Sequence, residues 1–208
     1  MTSQTEKSSK PVSEMLFEKF LFDRRVPFEP IAVADSRRPD YRVGDGTTWG
    51  PVIFEVKEIS EDENFPREPF KLSTRIVGDH IRSKITEAKK QIQYGAKLGL
   101  PSILLIYNAL DTAFHMFGTE DHDFRAAMHG EWTITVGIET GRIIGAGYGQ
   151  NRSFREKQNT SFTALGHLVP VRGVMTVKLF LNEHAKTRFS QFPSQPGCNQ
   201  EYASSLQQ

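Results

Sequence analysis

Leu16, Phe17, Phe20 and Leu21 recur at helical spacing and predict a first helix over residues 13–24, with Ser13 placed to cap its first free amides. After Val26-Pro27 the period shortens to that of extended chain. Strands are expected at Phe28 to Ala34, at Tyr41 to Val43 and at the alternating stretch Val52 to Ile59. Gly44-Asp45-Gly46 is turn chemistry, because glycine adopts positive φ without steric cost, so the last two strands should form a hairpin. Residues 60–72 are acidic and carry Pro66 and Pro69, which reads as a loop. From Ser73 to Leu98 there is no proline, and Ile76, Ile81, Ile85, Ala88, Ile92 and Ala96 fall on or near one helical face, with Gly99 as the stop. Ile103 to Tyr107 is apolar without alternation, the mark of a central strand covered on both faces.

Beyond Asn108 the pattern weakens. A short helix around Phe124 to Met128 and strands at Trp132 to Ile138, Ile143 to Tyr148 and Val174 to Leu181 are expected. The summary is an α/β chain with one mixed sheet flanked by helices. Residues 1–12 read as a disordered arm, 13–183 as a single domain (core 13–108, extension 109–183 adding strands), and 184–208 as a mostly irregular tail.

Charge narrows the partners. Lys plus Arg number 26 and Asp plus Glu 25, leaving 26 − 25 = +1, so no global basic field is present and any polyanion site must be a local patch. With 38% hydrophobic residues and 15 phenylalanines the composition is globular, neither disordered nor collagen-like. Cys198, the only cysteine, can close no internal disulfide and build no thiolate zinc cage, which suits a reducing, cytoplasmic setting. The amino-terminal run lacks the apolar core of a signal peptide, and no apolar run approaches the roughly 20 residues that span a bilayer, so no membrane partner is expected.

The chemistry concentrates in Arg38-Pro39-Asp40-Tyr41 and Ile53-Phe54-Glu55-Val56-Lys57-Glu58. On a strand Val52, Phe54 and Val56 face one way and Ile53, Glu55 and Lys57 the other, which makes Glu55 and Lys57 neighbours. The glycine turn then brings Asp40 to the same end of the hairpin. Two carboxylates and an ammonium in one small volume suit a hard divalent cation such as Mg²⁺, and such an ion can activate water and neutralise charge on a phosphodiester.

Pro39-Asp40 followed by Glu55-Val56-Lys57 resembles the PD-(D/E)XK nuclease superfamily, the restriction-endonuclease-like proteins, and the predicted order of elements over residues 13–108 is similar to the αβββαβ core of that superfamily. The resemblance implies Mg²⁺-dependent hydrolysis of nucleic acid, DNA by default, with Mn²⁺ able to substitute. It implies Asp40 and Glu55 as metal ligands, the Val56 carbonyl as a further ligand and Lys57 as the catalytic lysine. It also implies a glutamate from the first helix, for which Glu14 and Glu18 are both candidates. Phe17-Glu18 resembles the helix-one pattern of some restriction enzymes and favours Glu18 as the fourth catalytic residue. On the second helix the resemblance points to Lys89 and Gln91 as nucleic-acid contacts, and Arg38 with Arg24, Arg25, Arg37 and Arg42 could hold backbone phosphates. The Gln-x-x-x-Tyr pattern of RecB-type members is absent, since Tyr94 lies three after Gln91. A homodimer would let one small domain engage a duplex.

Two rivals stand beside this reading. One is a binding module that keeps the fold without turnover. The other is a small-molecule hydrolase built on His115, His122 and His129 around Glu120, Asp121 and Asp123, although a spacing of seven matches no compact metal motif and a solvated loop is the expectation there. Gly145, Gly147 and Gly149 precede no helix and so mark a packed or bulged strand rather than a dinucleotide site.

Overall fold

Helix α1, Val12–Asp23, buries Phe17, Phe20 and Leu21, the residues whose spacing announces it. This computed structural model describes residues 10–32, 37–60, 76–110, 119–189 and 198–201. Residues 1–9 of the expected arm, 33–34 of the expected first strand, 61–72 of the expected loop, 73–75 of the expected second helix, and 190–197 and 202–208 of the expected tail therefore lie outside the described residues. Ser13 does not cap α1, whose N-cap is Pro11. The Ser13 side chain is instead buried inside the first turn, and its backbone N–H donates to Glu58 Oε2 at 3.0 Å, so a carboxylate from a neighbouring strand satisfies the helix end.

Three strands follow: β1, Phe28–Pro30, β2, Tyr41–Val43, and β3, Val52–Ile59. They pair antiparallel in that order, with Tyr41 opposite Phe54 and Val43 opposite Val52, as the glycine turn requires. β1 ends at Pro30, although the Ile31 N–H still donates to the Asp40 carbonyl at 2.8 Å, and residues 33–34 of the expected strand lie outside the described residues. Helix α2, Asp79–Lys97, begins six residues later than Ser73. Its N-cap, Gly78, sits at φ +80° with its N–H donated to Asp123 Oδ1 at 3.0 Å, which excludes a helix running through it. Gly99, at φ +71°, ends the helix as expected.

Strand β4, Ser102–Asn108, is central: among the described residues the sheet continues from β1, β2 and β3 through β4 to β7, Ala164–Val171, β8, Val174–Leu181, and β9, Cys198–Glu201, seven strands in that order, with β3, β4 and β7 parallel and β7 and β8 antiparallel. Helix α3, Asp121–His129, extends the expected short helix at both ends. Strands β5, Trp132–Val136, and β6, Ile143–Tyr148, do not extend the sheet but form a separate antiparallel ribbon. Strand β7, Ala164–Val171, is absent from the sequence reading because Gly166 and Pro170 interrupt its β pattern. β8, Val174–Leu181, falls where expected, and β9, Cys198–Glu201, adds an edge strand inside the expected irregular tail.

The sheet separates two apolar layers. α1 packs with Tyr41, Phe54, Val56 and Leu105 on one face, where Phe17 meets the Phe54 ring at 4.9 Å and that of Tyr41 at 5.6 Å. α2 and α3 cover the other face through Ile85, Ala88, Ile92 and Phe124 over Leu104, Ile106 and Phe180. Helix α2 approaches the sheet most closely at Gly95, where a Cβ would meet Ser102 Oγ at 2.4 Å and Ile53 Cγ1 at 2.8 Å. Gly95→Ala is accordingly expected to destabilise the protein by about 1–2 kcal/mol, the overpacking outweighing the gain in helix propensity. Urea unfolding measures this, and a variant as stable as the parent would show that α2 can lift off the sheet without cost.

Candidate metal centre

Strand β2 stops at Tyr41 while β3 runs on to Ile59, leaving a notch in the ladder beside Val56. Asp40 fills it. Its N–H donates to the Phe54 carbonyl at 3.2 Å, and its Oδ2 accepts the Val56 N–H at 2.7 Å, so a carboxylate stands in for the next strand residue. Within a strand the N–H and C=O of one residue point to the same edge, so the Val56 carbonyl is directed toward the same notch.

Glu55 and Lys57 share the face covered by α2, as strand alternation predicts. Glu55 is only 1% exposed. Its Oε1 is paired with Lys57 Nζ at 2.7 Å, whereas its Oε2 is buried without a hydrogen-bond donor. Burial first, and then the neighbouring charge of Asp40, push the Glu55 carboxyl up to about 7 despite the opposing ammonium of Lys57. Asp40 is raised as well, by burial and by Glu14, against the lowering effects of the Val56 N–H, of Lys57 and of a hydrogen bond shared with the Glu55 carboxyl. Burial alone would lower the Lys57 ammonium, but Glu55, Asp40 and Glu87 together hold it above its ordinary value. The two acids are thus crowded into a space that one ammonium does not neutralise.

Helix α1 delivers both of its glutamates to this neighbourhood, where Tyr41 Oη donates to Glu14 Oε2 at 3.0 Å and to Glu18 Oε1 at 3.2 Å. Burial and these two carboxylates raise the Tyr41 hydroxyl far above its usual value. Lys10 and Tyr41 engage both glutamates, and of the two it is Glu14 that acts electrostatically on Asp40 and Glu55. Glu58, which sequence reasoning left without a role, seats Glu14 by holding the adjacent Ser13 N–H. Its signal was its place on the strand face toward α1.

α2 supplies a second wall. With Gly95 lying over Ile53, two strand residues of about 6.6 Å match four helix residues of about 6 Å, which sets Gln91 level with Glu55 and Glu87 level with Lys57. Lys84 pairs with Glu87 at 3.0 Å on the same stripe. Lys89, two residues past Glu87, lies about 200° around the helix and is exposed on the side away from the notch. On this register Gln91 and Lys84 share the stripe of Glu87, which acts on Lys57, and Lys89 lies off that stripe.

Of the arginines, Arg38 is exposed two residues before Asp40. Arg42 is engaged bidentately by Asp45 at 2.7 Å, and Arg24 lies over the Phe20 ring and donates to the Met175 carbonyl at 2.9 Å, so both have structural roles.

The histidine segment is not a loop, since His122 and His129 both lie on α3. Two helical turns, about 10 Å, separate them, which is too far for one ion. His115 lies outside the described residues. Ligand atoms of Glu120, His122 and Asp123 come within 4.8 Å of one another. Here, however, the carboxylates cap a helix: Asp123 accepts the N–H of Gly78 and of Glu120 at 3.0 and 3.2 Å. Among the described residues no helix is long and apolar enough to cross a membrane. Comparison with family models, with curated proteins and with solved structures found no match.

Proposed function

We propose that the notch between Asp40 and Glu55 seats a divalent cation, Mg²⁺ or Mn²⁺, and that the protein hydrolyses phosphodiester bonds of nucleic acid, DNA before RNA. The observation that carries this reading is the buried Glu55 Oε2, which has no donor and faces a second carboxylate, an arrangement that a cation would relieve. An all-oxygen donor set of Asp40, Glu55 and the Val56 carbonyl, with Glu14 behind it, suits a hard ion that retains waters. When bound, such an ion lowers the pKa of a coordinated water and offsets charge on the phosphoryl oxygens.

The chain's own groups do the rest. Lys57, its side chain 27% exposed, reaches solvent from the floor of the notch, where its ammonium orients a nucleophile or stabilises the pentavalent phosphorus. Gln91 and Lys84 on α2 and Arg38 ahead of Asp40 provide donors for the flanking phosphates. The order α1-β1-β2-β3-α2-β4 supports the same reading through the PD-(D/E)XK resemblance, with Glu14 rather than Glu18 as the helix-one carboxylate.

The test is incubation of the purified protein with supercoiled, linear, branched and single-stranded DNA, and with RNA, in Mg²⁺, Mn²⁺ or chelator. Cleavage that requires the ion and disappears in Asp40→Ala is expected. Ion-dependent binding of DNA without any cleavage would establish the non-catalytic module instead.

A further inference from the structure

The β5–β6 ribbon carries most of its apolar side chains on one face. Trp132 stands opposite Tyr148 and Ile134 opposite Ala146, while Thr133 and Thr135 pair with Gly147 and Gly145 on the other face. A bulge after Thr135 sets Val136 opposite Ile143. Trp132 is 54% exposed, Ile134 56% and Ile143 67%, and Ile138 at the turn is completely exposed. A two-stranded ribbon with nothing on its apolar face is marginal in water. Yet its root is firmly set: Gly130, at φ +95°, brings the chain against the Gln150 carbonyl, Glu131 N–H donates to Gln150 O at 2.9 Å, and Phe154 just beyond is buried in the core.

We propose that this ribbon is a homodimerisation arm, its apolar face packing against the same face of a second copy of the chain about a two-fold axis. The apolar residues of that face and of the turn, Trp132, Ile134, Val136, Ile138, Ile143 and Tyr148, expose on the order of 700 Å², comparable to the roughly 800 Å² that each partner of a standard stable interface buries. Trp132 packs edge-on against Tyr148 at 5.0 Å, giving the face an aromatic anchor at its root. Charge fits a self-complementary pairing. The turn carries Glu139 and Arg142, and the root carries Glu131 and Arg152. When two ribbons pack antiparallel about a two-fold axis, the turn of each meets the root of the other and each charge finds its opposite. Nucleic acid is the poorer occupant, because the apolar face itself has no cation to set against phosphate. The proposal is independent of the metal site.

Sedimentation of the full chain from low to high micromolar concentration is expected to give twice the 23.6 kDa chain mass. The double variant Ile134→Glu, Ile143→Glu should sediment as a monomer with an unchanged circular dichroism spectrum and melting temperature. Should that variant fail to fold, cysteine crosslinking answers the same question in a Cys198→Ser background. A bifunctional maleimide should then join copies through Ala146→Cys on the apolar face and leave Thr133→Cys on the other face monomeric. A parent protein that is monomeric throughout, a folded double variant that remains dimeric, or equal crosslinking from both faces would each overturn the proposal.

Discussion

Lys57→Ala is expected to reduce ion-dependent cleavage by roughly 10³-fold, the usual scale for removing one positioned charge or proton carrier from a reacting centre. Among the described residues Lys57 is the cation paired with Glu55, at 2.7 Å, and its side chain is also partly open to solvent, so in the proposed reaction it can serve both the Glu55 carboxylate and the substrate. These roles separate experimentally. If the ammonium only supports Glu55, the loss should appear as weaker Mg²⁺ affinity and be recovered at high Mg²⁺. If it acts on the reacting phosphate, cleavage at saturating Mg²⁺ stays low. Recovery to within a factor of about ten of the parent at saturating ion would remove Lys57 from the chemistry. Lys89→Ala, on the far side of α2, serves as the control and should leave cleavage unchanged.

Glu55→Gln is expected to make the metal-free protein more stable, by about 3 kcal/mol above pH 7, while abolishing its stabilisation by Mg²⁺. The Glu55 carboxyl rises from 4.5 in the unfolded chain to about 7 when folded. The folded state therefore binds more protons over that window. Stability from this group is complete below pH 4.5, falls as pH climbs, and is exhausted above pH 7. Glutamine mimics the neutral acid at every pH, so the two proteins should coincide near pH 4.5 and diverge as pH rises. The difference between them is the proper readout, because His167 pulls the other way. Burial lowers its pKa from 6.5 to about 4, so its contribution grows with pH across the same interval in both proteins. Denaturant unfolding in chelator, repeated in Mg²⁺, measures all of this. A Glu55→Gln variant less stable than the parent above pH 7 would show that the carboxylate is already fully compensated without an ion.

The sequence was most legible where local chemistry and burial agree. β2, β3 and β8 occupy the residues their patterns mark, and α1 falls within one residue of them, because alternation or helical spacing coincides with faces that are covered. β7 was opaque: Gly166 sits in it because a Cβ would come within 2.7 Å of Leu105 Cδ1, so packing erased the very signal that marks a strand. The start of α2 was missed because a long-range bond, Asp123 to the Gly78 N–H, decides it. Within the site, Asp40, Glu55 and Lys57 could be brought together from strand geometry and one turn. That Glu14 rather than Glu18 acts on Asp40 and Glu55, and that Lys84 rather than Lys89 shares the stripe of Glu87, could not. Both choices depend on the rotation of a helix about its axis, fixed by contacts such as Glu58 to Ser13 and Gly95 over Ile53 that no local pattern encodes.

The margin of the sheet beside β2 ends in a strand of three residues that closes with Pro30 and exposes Glu29. A strand so short, with a charge in its middle and no amide hydrogen at its end, is a poor template for a stray β-segment. Protection against fibrillar self-association is therefore built into the side of the sheet next to the acidic notch, where a longer, fully bonded border strand would otherwise have recruited neighbouring chains.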